Sequence, residues 1–121
     1  MKAALFGKRI DKTSIGRFLL FVNNLKEYKH VEFCYHSSFY ELIQELGGVL
    51  PGGDVFTDYN DLPSDTDIFL SLGGDGTFLD SLTMVRDREI PIAGINFGRL
   101  GFLTTACVED TPVAVRIIRS G

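Results

Sequence analysis

Between Asp67 and Thr77 an apolar run, Asp67-Ile68-Phe69-Leu70-Ser71-Leu72, stops abruptly at three glycines surrounding one aspartate, Gly73-Gly74-Asp75-Gly76-Thr77. A helix-compatible segment from Thr77 to about Val85 follows at once. A strand, a glycine turn and a helix N-terminus in that order form an anion site, because glycines let backbone N–H groups converge without Cβ obstruction. The first turn of the helix adds a partial positive charge. Phosphate suits such a site, yet Asp75 puts a carboxylate in its middle. A phosphoryl-transfer site resolves the conflict, with Asp75 addressing the attacking hydroxyl or a magnesium ion. Gly-Gly-Asp-Gly also suits a plain tight turn, since Asp and Gly both favour turns.

The flanking sequence alternates strand and helix. Ala3–Phe6 reads as a short buried strand, and Lys8 to Asp11 as a polar loop. A helix capped by Thr13 or Ser14 runs to about Tyr28, with Ile15, Phe18, Leu19, Val22 and Leu25 on one face. Val31–His36 is rich in strand formers. Ser38 with Glu41 forms a capping box for a helix through Leu46, closed by Gly47-Gly48. Gly52-Gly53 is read as a structural turn with no ligand, Val55–Thr57 as a short strand, and residues 58–66 as an acidic loop. Strand 67–72 and the glycine turn come next, then a fourth clear strand over Ile90–Ile95. Thr111 caps a last predicted helix, with Pro112 at its first position and Gly121 just past its end. The expected fold class is therefore α/β, a Rossmann-like parallel sheet with helices on both faces. Ligands of such sheets bind at the carboxyl ends of strands, where the loops after Leu72 and Ile95 share one crevice if their strands are neighbours.

Composition narrows the partners. The 121 residues are 45% hydrophobic and 23% charged, enough apolar content for one domain with a real core. A net charge of -4 recommends neither nucleic acid nor an anionic membrane. Cys34 and Cys107 read as buried free thiols, with a disulfide the second choice. His30 and His36 are the only histidines, so no protein metal site is expected. Neither a signal segment nor a membrane span is read, and a cytoplasmic location is expected.

The segment Gly73-Gly74-Asp75-Gly76-Thr77 resembles the element shared by NAD kinases, diacylglycerol and sphingosine kinases and, more loosely, phosphofructokinases. A second segment, Gly94-Ile-Asn-Phe-Gly-Arg-Leu-Gly-Phe-Leu-Thr104, resembles the Gly-Ile-Asn-x-Gly-x-Leu-Gly-Phe-Leu pattern of NAD kinases. Lipid kinases instead continue the first motif with Asn-Glu, whereas here it continues Phe78-Leu79-Asp80. The two motifs stand about 17 residues apart, a spacing that fits a strand-and-helix frame. A Rossmann oxidoreductase lacks support, because Phe6-Gly7-Lys8 ends the first strand with no Gly-x-Gly-x-x-Gly. A nucleotide-binding module without turnover is separable from a kinase by the effect of Asp75→Asn on rate.

The resemblance implies transfer of the terminal phosphoryl group of ATP, or of polyphosphate, to the 2′-hydroxyl of the adenosine ribose of NAD, with a divalent cation, magnesium, required. It implies Asp75 as the catalytic residue contacting that ribose, and Gly73, Gly74, Gly76 and Thr77 as phosphate contacts. NAD binding by Asp75, Gly76, Arg99 and Phe102 is implied as well. On physical grounds alone Phe102 suits core packing, Arg99 either a phosphate contact through its forked donors or an exposed surface, and Asn96 either a hydrogen bond to substrate or its own turn. Asp80 receives no assignment. NAD kinases resemble two-domain proteins, so residues 1–121 are expected to form the N-terminal nucleotide-binding domain, without the β-rich C-terminal domain. The isolated chain is then expected to be inactive or weakly active, and the full-length enzyme a homo-oligomer.

Overall fold

A computed structural model describes residues 1–10, 12, 14–29, 31–73, 75–96, 104–108 and 111–119. Strand β1 (Lys2–Gly7) occupies the middle of the sheet, and all but its first residue are buried. Helix α1 (Ile15–Lys29) carries the chain to β2 (Glu32–His36), which pairs parallel to β1 with Leu5 beside Tyr35. Helix α2 (Ser37–Glu45) and a glycine-containing turn then lead to β3 (Gly53–Phe56), parallel to β2.

At this point the winding reverses. Strand β4 (Ile68–Leu72) lies on the other side of β1, with Phe6 beside Ser71 and Gly7 beside Leu72. Helix α3 (Asp75–Val85) follows, and β5 (Pro91–Asn96) pairs parallel to β4. Pro91 opens its strand, a position that tolerates a missing N–H. These five strands, in the order β3-β2-β1-β4-β5, make the expected parallel sheet, and its topological switch point falls between β1 and β4.

The alternation of buried side chains along each strand divides the core in two. On one face Leu5, Tyr35, Leu70 and Ile95 pack with Phe18 and Val22 of α1 and with Phe39 and Ile43 of α2. On the other face Phe6, Phe56, Phe69 and Ile92 pack with Phe78 and Val85 of α3. Each fully buried aromatic or branched aliphatic side chain contributes roughly 1.5–3 kcal/mol, so helices on both faces are required to cover the sheet.

One expectation about helix α2 is corrected and another holds. Helix α2 starts at Ser37, its N-cap is His36 in extended conformation, and no side-chain cap bond forms. The Ser38–Glu41 capping box is thus absent, because Ser38 already lies inside the helix and the N-cap position belongs to His36. Its C-terminus follows the sequence: Gly47 has φ 83°, its N–H donates to Gln44 O, and Gly48 N–H donates to Ile43 O, a Schellman arrangement.

The larger correction concerns the last predicted helix. Thr111–Arg119 is a strand, β7, antiparallel both to β5 and to β6 (Thr104–Val108), so the complete seven-stranded sheet is not wholly parallel. Val113, Val115, Ile117 and Ile118 are β-branched, a content that favours a pleated surface over a helix. Pro112 fits there because β7 pairs with β5 only from Ala114 onward. The Thr-Pro start and terminal glycine were helix punctuation without a helix-forming interior. A Cys34–Cys107 disulfide is also ruled out. Strands β2 and β6 are five strand spacings apart in the sheet order, roughly 24 Å at about 4.8 Å each, and a disulfide needs its Cα atoms within about 7 Å.

Candidate active site

The carboxyl ends of β1 and β4 adjoin, and the loops that leave them form a cleft of about 300 Å³ lined by Lys8, Arg9, Gly73, Gly76 and Thr77. The glycine turn supplies one wall. Gly73 has φ 142°, a conformation that L side chains rarely adopt, and a Cβ there would fall 2.9 Å from Thr77 Oγ1. Its N–H donates to Ile95 O at 2.9 Å, which ties the turn to the end of β5. Gly73 therefore shapes the turn through its backbone, and its donor is already engaged. The loops after Leu72 and Ile95 do emerge from neighbouring strands, meeting the condition set by the sequence.

Helix α3 begins at Asp75, directly after the turn, so its free N–H groups and the positive end of its dipole lie at the cleft. Gly76 is exposed within the first turn, and a Cβ added to it meets nothing within 4 Å. The fold thus gains nothing from a glycine there, while a helical glycine costs about 0.5–1 kcal/mol relative to alanine. Open backbone of that kind suits the close approach of a ligand. Thr77 is buried beneath the turn, and its carbonyl accepts a hydrogen bond from the fully buried Ser81 at 2.9 Å.

Lys8 and Arg9 were read from sequence only as part of a polar loop. Their significance comes from topology: they follow β1, whose carboxyl end faces the switch point. Lys8 is ion-paired with Asp80, one turn along α3 from Gly76, which gives that unassigned aspartate a partner across the cleft. Of the other sequence-predicted residues, Gly74, Arg99 and Phe102 lie outside the described residues, and of Asp75 only the backbone is described.

A larger cavity of about 770 Å³ lies at the opposite, amino end of β1–β3. Its lysines, Lys2 and Lys26, face Glu27, Glu32 and Asp54, so its charges are mixed, and no glycine turn enters a helix there. Size alone does not make it the site. Among the described residues no group of three His, Cys, Asp or Glu side chains is arranged to hold a metal. No helix among them is long and apolar enough to cross a membrane.

Two groups away from the cleft have shifted titration. Burial pushes the free Cys34 thiol up to about 11, which leaves it unreactive near neutrality. Burial also lowers the pKa of His36, opposed by its hydrogen bond to Thr57 O and by Asp61. Because the Thr57 carbonyl can only accept, Nε2 of His36 carries the proton, and the buried Nδ1 has no hydrogen-bond partner among the described residues.

A doubly wound sheet with a glycine turn and a helix N-terminus at its switch point defines a Rossmann-like α/β domain. The ATP-NAD kinase N-terminal domain family matches residues 20–119. The chain is 39% identical over 122 residues to an NAD kinase of Cytophaga hutchinsonii, a match covering 98% of this chain and 40% of the relative. An NAD kinase of Flavobacterium psychrophilum is 32% identical over 121 residues, with the same two coverages. One from Bacteroides fragilis is 38% identical over 112 residues, covering 91% of this chain and 37% of the relative. The chain belongs to the NAD kinase family, through the N-terminal domain of that family. It spans about two fifths of the length of these relatives, at 40% of each of the first two.

Proposed function

We propose that this chain is the phosphate-handling half of an NAD kinase, an enzyme that makes NADP by phosphorylating the 2′-hydroxyl of the adenosine ribose of NAD. The observation that carries the proposal is the open glycine turn and helix start at the switch point, faced by Lys8 and Arg9. In the reaction, the ribose oxygen forms a bond to the terminal phosphorus of the donor as the bridging P–O bond breaks. With ATP as donor, ADP leaves; with polyphosphate, the shortened chain leaves. The hydroxyl proton passes to the Asp75 carboxylate, which also orients the hydroxyl for attack. Gly74, Gly76 and Thr77 contact phosphate oxygens, Gly73 holds the turn, Arg99 contacts the pyrophosphate of NAD, and Phe102 stacks on its adenine.

A divalent cation belongs to this reading. Magnesium typically uses one or two carboxylates together with substrate phosphates, so Asp75 and the oxygens of the donor would hold it. When bound, the ion would neutralise charge on the transferring phosphoryl group. The remaining contacts to NAD come from a β-rich second domain, which excludes water from the transfer. The same reading carries a cytoplasmic location and a homo-oligomeric full-length enzyme.

The test is NADP formation from magnesium, ATP and NAD by this chain, and by the chain joined to a second domain, each with its Asp75→Asn variant. Activity that requires the second domain and disappears in the variant is the expected result. Turnover unchanged by Asp75→Asn would sink the proposed role of that residue. Phosphorylation of a lipid with NAD left untouched would overturn the substrate class.

A further inference from the structure

One of the two cations that line the cleft is not free to meet a ligand as it stands. Lys8 lines the cleft, yet its ammonium is paired with the Asp80 carboxylate. Both side chains remain substantially exposed, 52% for Lys8 and 41% for Asp80, so water screens the pair and it contributes little to stability. The pair also bridges two elements that the topology, not the sequence, brings together. Lys8 follows β1, and Asp80 sits on α3 one turn after Gly76. A weak pair at the mouth of a phosphate cleft has a consequence for affinity. Any anion entering the cleft competes with Asp80 for Lys8, and a ligand with several phosphate charges competes best.

We infer that Asp80 is a positioning residue that holds Lys8 in reserve, and that a polyphosphate chain binds by drawing the Lys8 ammonium from Asp80 onto its own oxygens. The inference rests on the reading of the cleft as the phosphoryl-donor site and adds a residue pair to it. No covalent step is involved, only exchange of one anionic partner for another. The exchange favours a triphosphate or longer chain over a ligand of lower charge, because the incoming anion must outbid a carboxylate already in place.

A double-mutant cycle decides it. This chain, with its Lys8→Gln, Asp80→Asn and doubly substituted variants, would be titrated calorimetrically with inorganic tripolyphosphate at one fixed ionic strength. Urea unfolding midpoints would establish that every variant keeps the fold. The expected pattern is about tenfold weaker binding in Lys8→Gln and several-fold tighter binding in Asp80→Asn. In the Lys8→Gln background, Asp80→Asn should then change affinity by less than about twofold. Two results would overturn the inference with the cleft intact: binding that ignores Lys8, or an Asp80→Asn gain of equal size in both backgrounds, which marks general charge repulsion. Weakened binding in Asp80→Asn would overturn it as well. If the unsubstituted chain binds neither tripolyphosphate nor ATP, the donor-site reading itself falls, and the inference falls with it.

Discussion

The tripeptide Gly-Gly-Asp occurs twice in this chain, at Gly52-Gly53-Asp54 and at Gly73-Gly74-Asp75, and the two copies do unlike things. The first leads into an edge strand. A Cβ on Gly53 would lie 2.2 Å from the backbone oxygen of Phe33, so this glycine lets β3 approach β2. The second leaves a central strand and enters a helix. Gly73 there holds a φ of 142°, and Gly76 beyond it has open space where a side chain would stand. Composition does not separate a packing glycine from a ligand-facing one. The element that follows does, since the free N–H groups of an edge strand point sideways along its length, whereas a helix gathers four free donors at its start.

Exchanging the aspartates is the strongest way to break this comparison. In the complete kinase, Asp75→Asn should lower kcat by about 10²–10⁴-fold, the range for loss of a general base. Asp54→Asn on an exposed edge strand should leave kcat unchanged. An equal loss at both positions, in steady-state kinetics, would show that the rate follows the fold and not the site.

Substituting the glycines separates their roles next. Gly53→Ala should destabilise the domain by about 2–3 kcal/mol, because the clash is with backbone and cannot be relieved by a rotamer change. Gly73→Ala should cost about 1–3 kcal/mol through its strained φ and its contact with Thr77. Gly76→Ala has the opposite sign. Chemical denaturation should find the domain more stable by up to about 0.5–1 kcal/mol, while calorimetry finds weaker tripolyphosphate binding. A Gly76 variant that binds normally would remove the case for close ligand approach.

The smallest expected effect is on pH. His36 sits beside the end of β3, where its ring meets Phe6 at 4.9 Å and Phe56 at 5.6 Å between centroids. Its folded pKa lies below the ordinary value of 6.5, so the unfolded chain binds the extra proton first. The stabilisation from neutral His36 is therefore complete above about pH 6.5 and declines as pH falls below it. Thermal midpoints measured from pH 7.5 to 5.5 should drop, and His36→Gln should flatten that slope. Hydrogen exchange over the same range should speed up first around Gly53–Thr57, before the turn at Gly73. Loosening that began at the phosphate turn would contradict this placement of the pH sensitivity.

What local sequence encodes well is the succession of elements. Helix α1 is recoverable from its 3.6-residue apolar spacing, and β4, the glycine turn and α3 from a change of period across five residues. Punctuation without an interior misled, as β7 shows. Its Thr-Pro start reads as a helix, while Val113, Val115 and Ile117 alternate as a strand does, and pairing with β5 and β6 favoured the strand. The capping box at Ser38 failed for a related reason, since α2 starts straight from β2 with no room for a cap.

The sequence by itself determined the family, through its two motifs, and the strand–turn–helix unit that carries Asp75, because both reside in consecutive residues whose backbone preferences act locally. Tertiary structure decided which loops share the cleft. Placing β4 beside β1 buries an apolar strand on both faces, a preference set by long-range packing and invisible in either strand alone. That single choice brings Lys8 and Arg9, on the loop after β1, to the glycine turn and to Asp80 of α3. The charge facing the glycine turn is thus a product of topology, and the turn itself is a product of sequence.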